Sequence, residues 1–96
     1  MFVVVTYDVN TETPEGKRRL RHVAKICKDY GVRVQNSVFE CVVDSVELME
    51  LKGKIGEVMC CETDSVRYYN LGNEGRRRVE HVGVKPALNV DEPLIF

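Results

Sequence analysis

The sequence has no long apolar stretch, no signal-like N-terminus and no cysteine cluster with metal-ligand spacing. No apolar run approaches the ~18–20 residues of a membrane helix, which argues against a membrane-spanning protein. Because the N-terminus has neither a basic region nor a small-residue cleavage site, we expect a cytoplasmic protein. The four cysteines form no CxxC pair and no Cys/His cluster, which argues against zinc and favours reduced, structural thiols.

The chain also has few residues and little net charge. Its 96 residues allow one domain, and a chain this short can hardly enclose a deep cavity. We therefore expect any chemistry on an edge, in a groove or at a subunit interface. A net charge of −1 argues against nucleic acid as the partner, but only while the distribution of the charges is ignored.

The charges are divided into two opposed blocks. Residues 17 to 33 contain seven basic side chains and one acid, whereas residues 40 to 64 contain seven acids and two lysines. A basic cluster of this kind fits a polyanion backbone. A solvated face that is balanced by the acidic half explains the same pattern, and charge alone does not separate the two interpretations.

The N-terminal third predicts a strand and a helix. Residues Phe2 to Val9 are apolar in both phases, which predicts a central strand covered on both faces or nearly so. Thr13-Pro14 predicts an N-cap followed by proline at the first helical position, and Gly31 predicts the end of the helix. Apolar residues at helical spacing lie between them: Leu20, Val23, Ala24, Cys27 and Tyr30.

The segment from Val32 to Val43 is strand-like, but its apolar phase changes. Val32 and Val34 occupy even positions, whereas Phe39, Cys41 and Val43 occupy odd ones. A straight strand cannot change faces, because a one-residue slip moves every side chain across the sheet. The polar step Gln35-Asn36-Ser37 is therefore predicted to be a bulge or a tight turn between two short strands.

The second half repeats the helix and strand pattern. Asp44 and Glu47 predict a capping box, and a second helix follows with a stripe that includes Leu51 and Ile55. Residues 63 to 71 predict another strand. The order strand, helix, strand, strand, helix, strand predicts an α+β, ferredoxin-like domain over residues 1–78, with a C-terminal extension over 79–96.

Two helices would cover one face of the predicted sheet and leave the other face bare. A second subunit is the simplest cover, so we expect a homodimer in which the extension pairs with the partner. The alternative is that the extension packs on its own sheet.

Asp8 is the main candidate for chemistry. It ends an apolar strand, where a carboxylate is costly to bury unless it is hydrogen-bonded or bound to a cation. It either caps the turn that follows or binds a hard metal ion such as Mg²⁺ or Mn²⁺. A twofold dimer that pairs the first strands would present two copies of Asp8 to one ion.

Three segments together resemble the small CRISPR-associated Cas-two family, which accompanies the Cas-one integrase. They are Tyr7-Asp8-Val9, the basic helix RRLRHVAKICKDYG and the segment RVQNSVFEC, and the similarity continues through DSVRYYNL into RRVEHVG. The resemblance implies a ferredoxin-like homodimer with Asp8 as the metal-binding catalytic carboxylate near the twofold axis. Asn36 stands where many relatives have Tyr. The family's other motif residues fall on Tyr7, Arg19, Arg21, Arg33 and Phe39.

The leading hypothesis is a Mg²⁺-dependent endonuclease, with Mn²⁺ as an alternative metal, that cuts double-stranded DNA during CRISPR spacer acquisition. Duplex DNA is preferred because the two basic helices of a symmetric dimer suit a rigid two-stranded polyanion. The alternatives are a non-catalytic DNA-binding scaffold for the integrase and an endoribonuclease specific for single-stranded RNA. The predicted nucleic-acid contacts are Arg18, Arg19, Arg21, Arg33, Arg76, Arg77 and Arg78.

Overall fold

The elements follow the predicted order, and all the strand pairs are antiparallel. The structure, a computed structural model, describes residues 1–73. The elements are β1 (Phe2–Asp8), α1 (Pro14–Lys28), β2 (Gly31–Gln35), β3 (Val38–Val42), α2 (Ser45–Val58) and β4 (Ser65–Asn70). The strand order β2-β3-β1-β4 confirms the predicted α+β, ferredoxin-like fold.

Some sequence-based predictions fall beyond these residues. The C-terminal extension at 79–96 and the triple arginine Arg76, Arg77 and Arg78 lie outside the described part of the chain. Within residues 1–73, no helix is long and apolar enough to cross a membrane.

Both helices begin at the predicted caps. The Thr13 side chain accepts a hydrogen bond from the Gly16 amide, and Pro14 occupies the first turn of α1. At α2, Asp44 and Glu47 form the reciprocal capping box.

The predicted end of α1 at Gly31 is wrong, because α1 ends at Lys28 with Asp29 as its C-cap. Gly31 instead begins β2, and its φ is not positive. A Cβ at this position would lie 2.0 Å from the Glu40 carbonyl oxygen, so the residue is glycine because β3 passes so close.

The core lies between the helices and one face of the sheet. Buried residues of β1 pack there against buried residues of both helices. They are Val3, Val5 and Tyr7 of β1, Val23, Ala24 and Cys27 of α1, and Leu51 and Ile55 of α2. The apolar stripes predicted for both helices are therefore confirmed at their centres.

Burial raises the pKa of the Cys27 thiol to about 12 and that of Cys41 to about 11, which fits inert, structural cysteines.

The phase change between Val32 and Val43 corresponds to a hairpin with a bulge. The chain turns at Asn36-Ser37, and the β2–β3 register shifts between Arg33 and Gln35. Phe39 and Cys41 face the helices. Val32 and Val34 belong to a second small cluster with Phe2 and Val4, on the opposite side of the sheet.

We call this opposite side the open face. On β1 it carries the even-numbered residues Phe2 to Asp8, which change from buried at Phe2 to exposed at Asp8. The expectation that β1 is covered on both faces is therefore confirmed at Phe2 and wrong at Asp8. Val42 and Tyr69 lie on the same face with 54% and 44% of their surface exposed.

Candidate functional site

Asp8 lies on the open face, at the last position of the central strand β1. It pairs with Ser65 of β4, and Thr6 pairs with Arg67. Because alternate residues of a strand share a face, these side chains lie together beside Asp8. They line a shallow groove formed by Thr6, Asp8, Ser65, Arg67 and Tyr69. We call it the Asp8 groove.

Arg67 gives the Asp8 groove a positive charge next to the carboxylate. Its Nη1 donates a 3.4 Å hydrogen bond to the Tyr69 hydroxyl. This hydrogen bond raises the pKa of Arg67, and the negative charge of Asp8 raises it further. The groove therefore combines an exposed carboxylate, a guanidinium and two aliphatic hydroxyls, from Thr6 and Ser65.

The oxygen donors of the Asp8 groove are of the kind that Mg²⁺ prefers, because carboxylate and hydroxyl oxygens are hard ligands. They are few. Among residues 1–73, no group of three or more His, Cys, Asp or Glu side chains is placed to hold a metal ion. A metal site built on Asp8 therefore needs donors from a second copy of the chain, from the substrate or from water.

A second polar cluster lies on the helix side of the sheet, around the buried carboxylate of Asp64. Arg19 donates to it twice, with Nε 2.8 Å from Oδ2 and Nη2 3.1 Å from Oδ1. The Cys60 amide and the Thr63 hydroxyl each donate at 3.0 Å, and the Tyr7 hydroxyl donates to Oδ2. The Asp64 side chain has no exposed surface, whereas that of Arg19 is 24% exposed. We call this set the Asp64 cluster.

The Asp64 cluster holds its carboxylate in the ionised form. Burial alone would raise the pKa of Asp64, but the hydrogen bonds outweigh it and hold that pKa well below its usual range. The largest of these contributions comes from Arg19. Burial, and then the hydrogen bond to Asp64, raises the pKa of Tyr7, so its hydroxyl remains a donor.

The predicted site residues are not all brought together. Arg18 and Arg21 are exposed on α1, on the helix side of the sheet, whereas Asp8 lies on the open face. Tyr7 is buried, and its hydroxyl points to Asp64 rather than into the Asp8 groove. Phe39 is a fully buried core residue.

Arg33 lies on β2, which β3 separates from β1. Its Nε and Nη2 donate to the backbone carbonyl of Asn36 at 2.9 and 2.5 Å, and its guanidinium lies 5.8 Å from the Phe39 ring centroid. Arg19 and Arg33 thus both contact the protein itself. Their contacts with nucleic acid stay predictions.

Sequence reasoning missed Arg67 and Asp64. A signal for Arg67 was present, because the alternation in SVRYYN places Ser65, Arg67 and Tyr69 on one face of β4. Only the register against β1 reveals that this face is the one that carries Asp8. Asp64 gave no signal, because it counts in the sequence as one of seven acids.

Comparison with known proteins identifies the family. The family model described as CRISPR associated protein Cas2 matches residues 1–79. The CRISPR-associated endonuclease Cas2 of Halalkalibacterium halodurans is 52% identical over the full length of both chains. The CRISPR-associated endoribonuclease Cas2 3 of Rhodospirillum rubrum is 55% identical over 98% of this chain and 99% of its own.

A solved structure agrees with these matches. The crystal structure of Streptococcus pyogenes Cas2 at pH 6.5 superposes with a TM-score of 0.81 and 58% identity, covering 86% of this chain and all of that one. The fold and these similarities agree with one another. The chain belongs to the CRISPR-associated Cas2 family.

Proposed function

We propose that the protein is a metal-dependent endonuclease that hydrolyses phosphodiester bonds of double-stranded DNA in CRISPR spacer acquisition. The observation that carries the proposal is the exposed Asp8 carboxylate in a groove with Arg67, in a chain of the Cas2 family. The names of its relatives, endonuclease and endoribonuclease, support hydrolysis of a nucleic acid. Such a protein would act in the cytoplasm.

In this mechanism two side chains of the Asp8 groove have different roles, one in metal binding and one in phosphate binding. Asp8 would hold the divalent cation, Mg²⁺ or Mn²⁺, through its carboxylate. When bound, the cation would supply Lewis-acid chemistry: it would polarise a phosphate oxygen and lower the pKa of a water whose attack on phosphorus displaces one ester oxygen. Arg67 donates to the scissile phosphate and offsets the charge that develops there, as guanidinium groups do well.

The proposed active form is a homodimer joined through the open face. Val42 and Tyr69 are exposed on this face, and Val4 and Val34 on the same face are half-buried. A twofold axis near the end of β1 would bring the two copies of Asp8 to one cation. Their mutual repulsion would then be relieved by the ion they share.

The proposed substrate is duplex DNA, and the support for it is the basic surface of α1. Its exposed cations are Lys17, Arg18, Arg21, Lys25 and Lys28. Two such helices in a symmetric dimer suit the regular spacing of phosphates on a duplex. The relative named an endoribonuclease makes RNA the competing substrate.

A second candidate function is a DNA-binding scaffold for a CRISPR integrase of the Cas-one family. The observation that favours it is the position of the basic surface of α1, on the other side of the sheet from Asp8. A scaffold needs this surface and the dimer, but it does not need the carboxylate.

The deciding experiment compares wild type with Asp8→Asn on duplex DNA and on single-stranded RNA, each with Mg²⁺ and with chelator. We expect wild type to cut the duplex only with metal, and Asp8→Asn to lose this activity. The matched control is Glu57→Gln, which removes an exposed carboxylate on α2 and should cut like wild type. Cleavage by Asp8→Asn at the wild-type rate would show that the metal assignment is wrong.

An integration assay with the integrase separates the two candidate functions. If Asp8→Asn supports integration but does not cut, the protein is both a nuclease and a scaffold. If wild type cuts neither nucleic acid under any metal condition and still supports integration, the scaffold is the function.

A further inference from the structure

The Asp64 cluster is joined to Asp8 through two neighbouring strands. Tyr7 immediately precedes Asp8 on β1, and Asp64 immediately precedes Ser65, the partner of Asp8 on β4. The hydrogen bond between Tyr7 and Asp64 therefore ties the two strands together one residue away from the Asp8–Ser65 pair. The Asp8–Ser65 pair is the last one in the β1–β4 ladder, so no strand pairing beyond it fixes its position.

Arg19 completes this connection from the helix layer. Its bidentate contact fixes α1 to the same carboxylate that binds Tyr7. If Arg19 bound a phosphate instead of Asp64, the Asp64 carboxylate would remain buried without its cation. Breaking a buried ion pair in this way is energetically costly. Arg19 also lies on the helix side of the sheet, and the Asp8 groove is on the open face.

We propose that Tyr7, Arg19 and Asp64 form a clamp that sets the position of Asp8, so that Arg19 serves the reaction through Asp64 and not by binding phosphate. The three are positioning residues, since the Asp8 groove is lined by other side chains. The inference rests on the proposed nuclease function for its kinetic consequences, but the geometry of the clamp is independent of that function.

The first test separates positioning from phosphate binding by kinetics and salt dependence. Tyr7→Phe removes only the hydroxyl, and Arg19→Lys keeps the charge but loses the bidentate contact. We expect each variant to lower kcat on duplex DNA by about tenfold or more, as loss of a supporting contact does. We expect KM, and the slope of log Kd against log salt, to match wild type.

Two control variants calibrate this test. Tyr30→Phe removes the hydroxyl that accepts a 2.9 Å hydrogen bond from Lys54, far from Asp8 in the fold, and should leave kcat unchanged. Arg18→Ala removes an exposed cation of α1 and should reduce the salt slope by about one if α1 binds the duplex. If Arg19→Lys or Arg19→Gln reduced the slope of log Kd against log salt but retained the wild-type kcat, Arg19 would be a phosphate ligand. That result would refute the clamp.

The second test does not depend on cleavage. In a ¹⁵N-labelled protein, Tyr7→Phe and Asp64→Asn should shift the backbone amides of Asp8 and Ser65 and speed their hydrogen exchange, whereas Tyr30→Phe should not. Tyr7→Phe keeps the ring in the core, so it remains informative if Asp64→Asn does not fold. If wild type cuts no substrate, the proposed function fails while this comparison still decides the clamp; unchanged Asp8 and Ser65 amides in Tyr7→Phe would refute it.

Discussion

Arg67 is the diagonal neighbour of Asp8 on the open face, because it pairs with Thr6 while Asp8 pairs with Ser65. The two side chains line one groove. We therefore expect Arg67→Ala to reduce kcat/KM for duplex cleavage by about tenfold or more, since the proposed mechanism assigns this guanidinium to the phosphate. Steady-state kinetics with Mg²⁺ measures this loss.

Arg67→Lys is the conservative partner of that substitution. It keeps a point charge beside Asp8 and should recover part of the activity, but it loses the planar pair of donors. Wild-type kcat/KM in Arg67→Ala would exclude the residue from the reaction.

The exposed apolar residues of the two surfaces allow a matched test of the dimer. Val42 is 54% exposed on the open face, and Val46 is 64% exposed on α2. Val42→Asp should dissociate the dimer, because it places a charge in the proposed interface, whereas Val46→Asp should not. Sedimentation velocity at equal concentrations gives the answer. A dimer that tolerates Val42→Asp but not Val46→Asp would place the interface on the helix layer.

The Asp64 cluster predicts how stability depends on pH. The folded-state pKa of Asp64 lies below the value of ~3.9 expected in the unfolded chain. Its contribution is therefore fully present above about pH 4 and is lost as the pH falls towards the folded-state pKa. At neutral pH, Asp64→Asn should lower the free energy of unfolding by about 3 kcal/mol.

Urea denaturation of wild type and Asp64→Asn between pH 2 and pH 7 checks this prediction. The difference between the two proteins should be largest at neutral pH and should shrink below about pH 4. A difference that stays constant down to pH 2 would contradict it. Glu57→Gln, which changes an exposed carboxylate, serves as the control.

Two glycines should respond to alanine in opposite directions. At Gly31 a Cβ would lie 2.0 Å from the Glu40 carbonyl oxygen and 2.6 Å from the Cys41 Cα, so Gly31→Ala should destabilise by about 1–3 kcal/mol. At Gly53, inside α2, a Cβ would meet nothing within 4 Å. Gly53→Ala should stabilise by about 0.5–1 kcal/mol, because alanine is the better helix former. Thermal or urea unfolding of both variants tests the pair.

The fold could be predicted because its elements are marked by local chemistry. Thr13-Pro14 and the pair Asp44 and Glu47 specify where the helices begin, and the phase change after Val34 locates the hairpin. The end of α1 could not be predicted in the same way. Glycine commonly ends helices, but at Gly31 the cause is the close approach of β3, which is a contact between residues distant in sequence.

The candidate site could be predicted only in part for the same reason. Asp8 stands out because a charged residue ends an apolar strand. Arg19 and Arg21 look alike in the sequence, yet one binds a buried carboxylate and the other is exposed. What distinguishes them is the position of Asp64, which depends on how β4 pairs with β1. Charge clusters therefore predict a basic surface, but not which members of it are available to a ligand.

The contact between Arg33 and Asn36 has a consequence for sequence variation. Both hydrogen bonds from Arg33 end on the backbone carbonyl of Asn36, which every amino acid possesses. The turn between β2 and β3 is thus held without use of the side chain at position 36. A substitution of the Asn36 side chain should therefore leave both hydrogen bonds in place, whereas a substitution of Arg33 removes them.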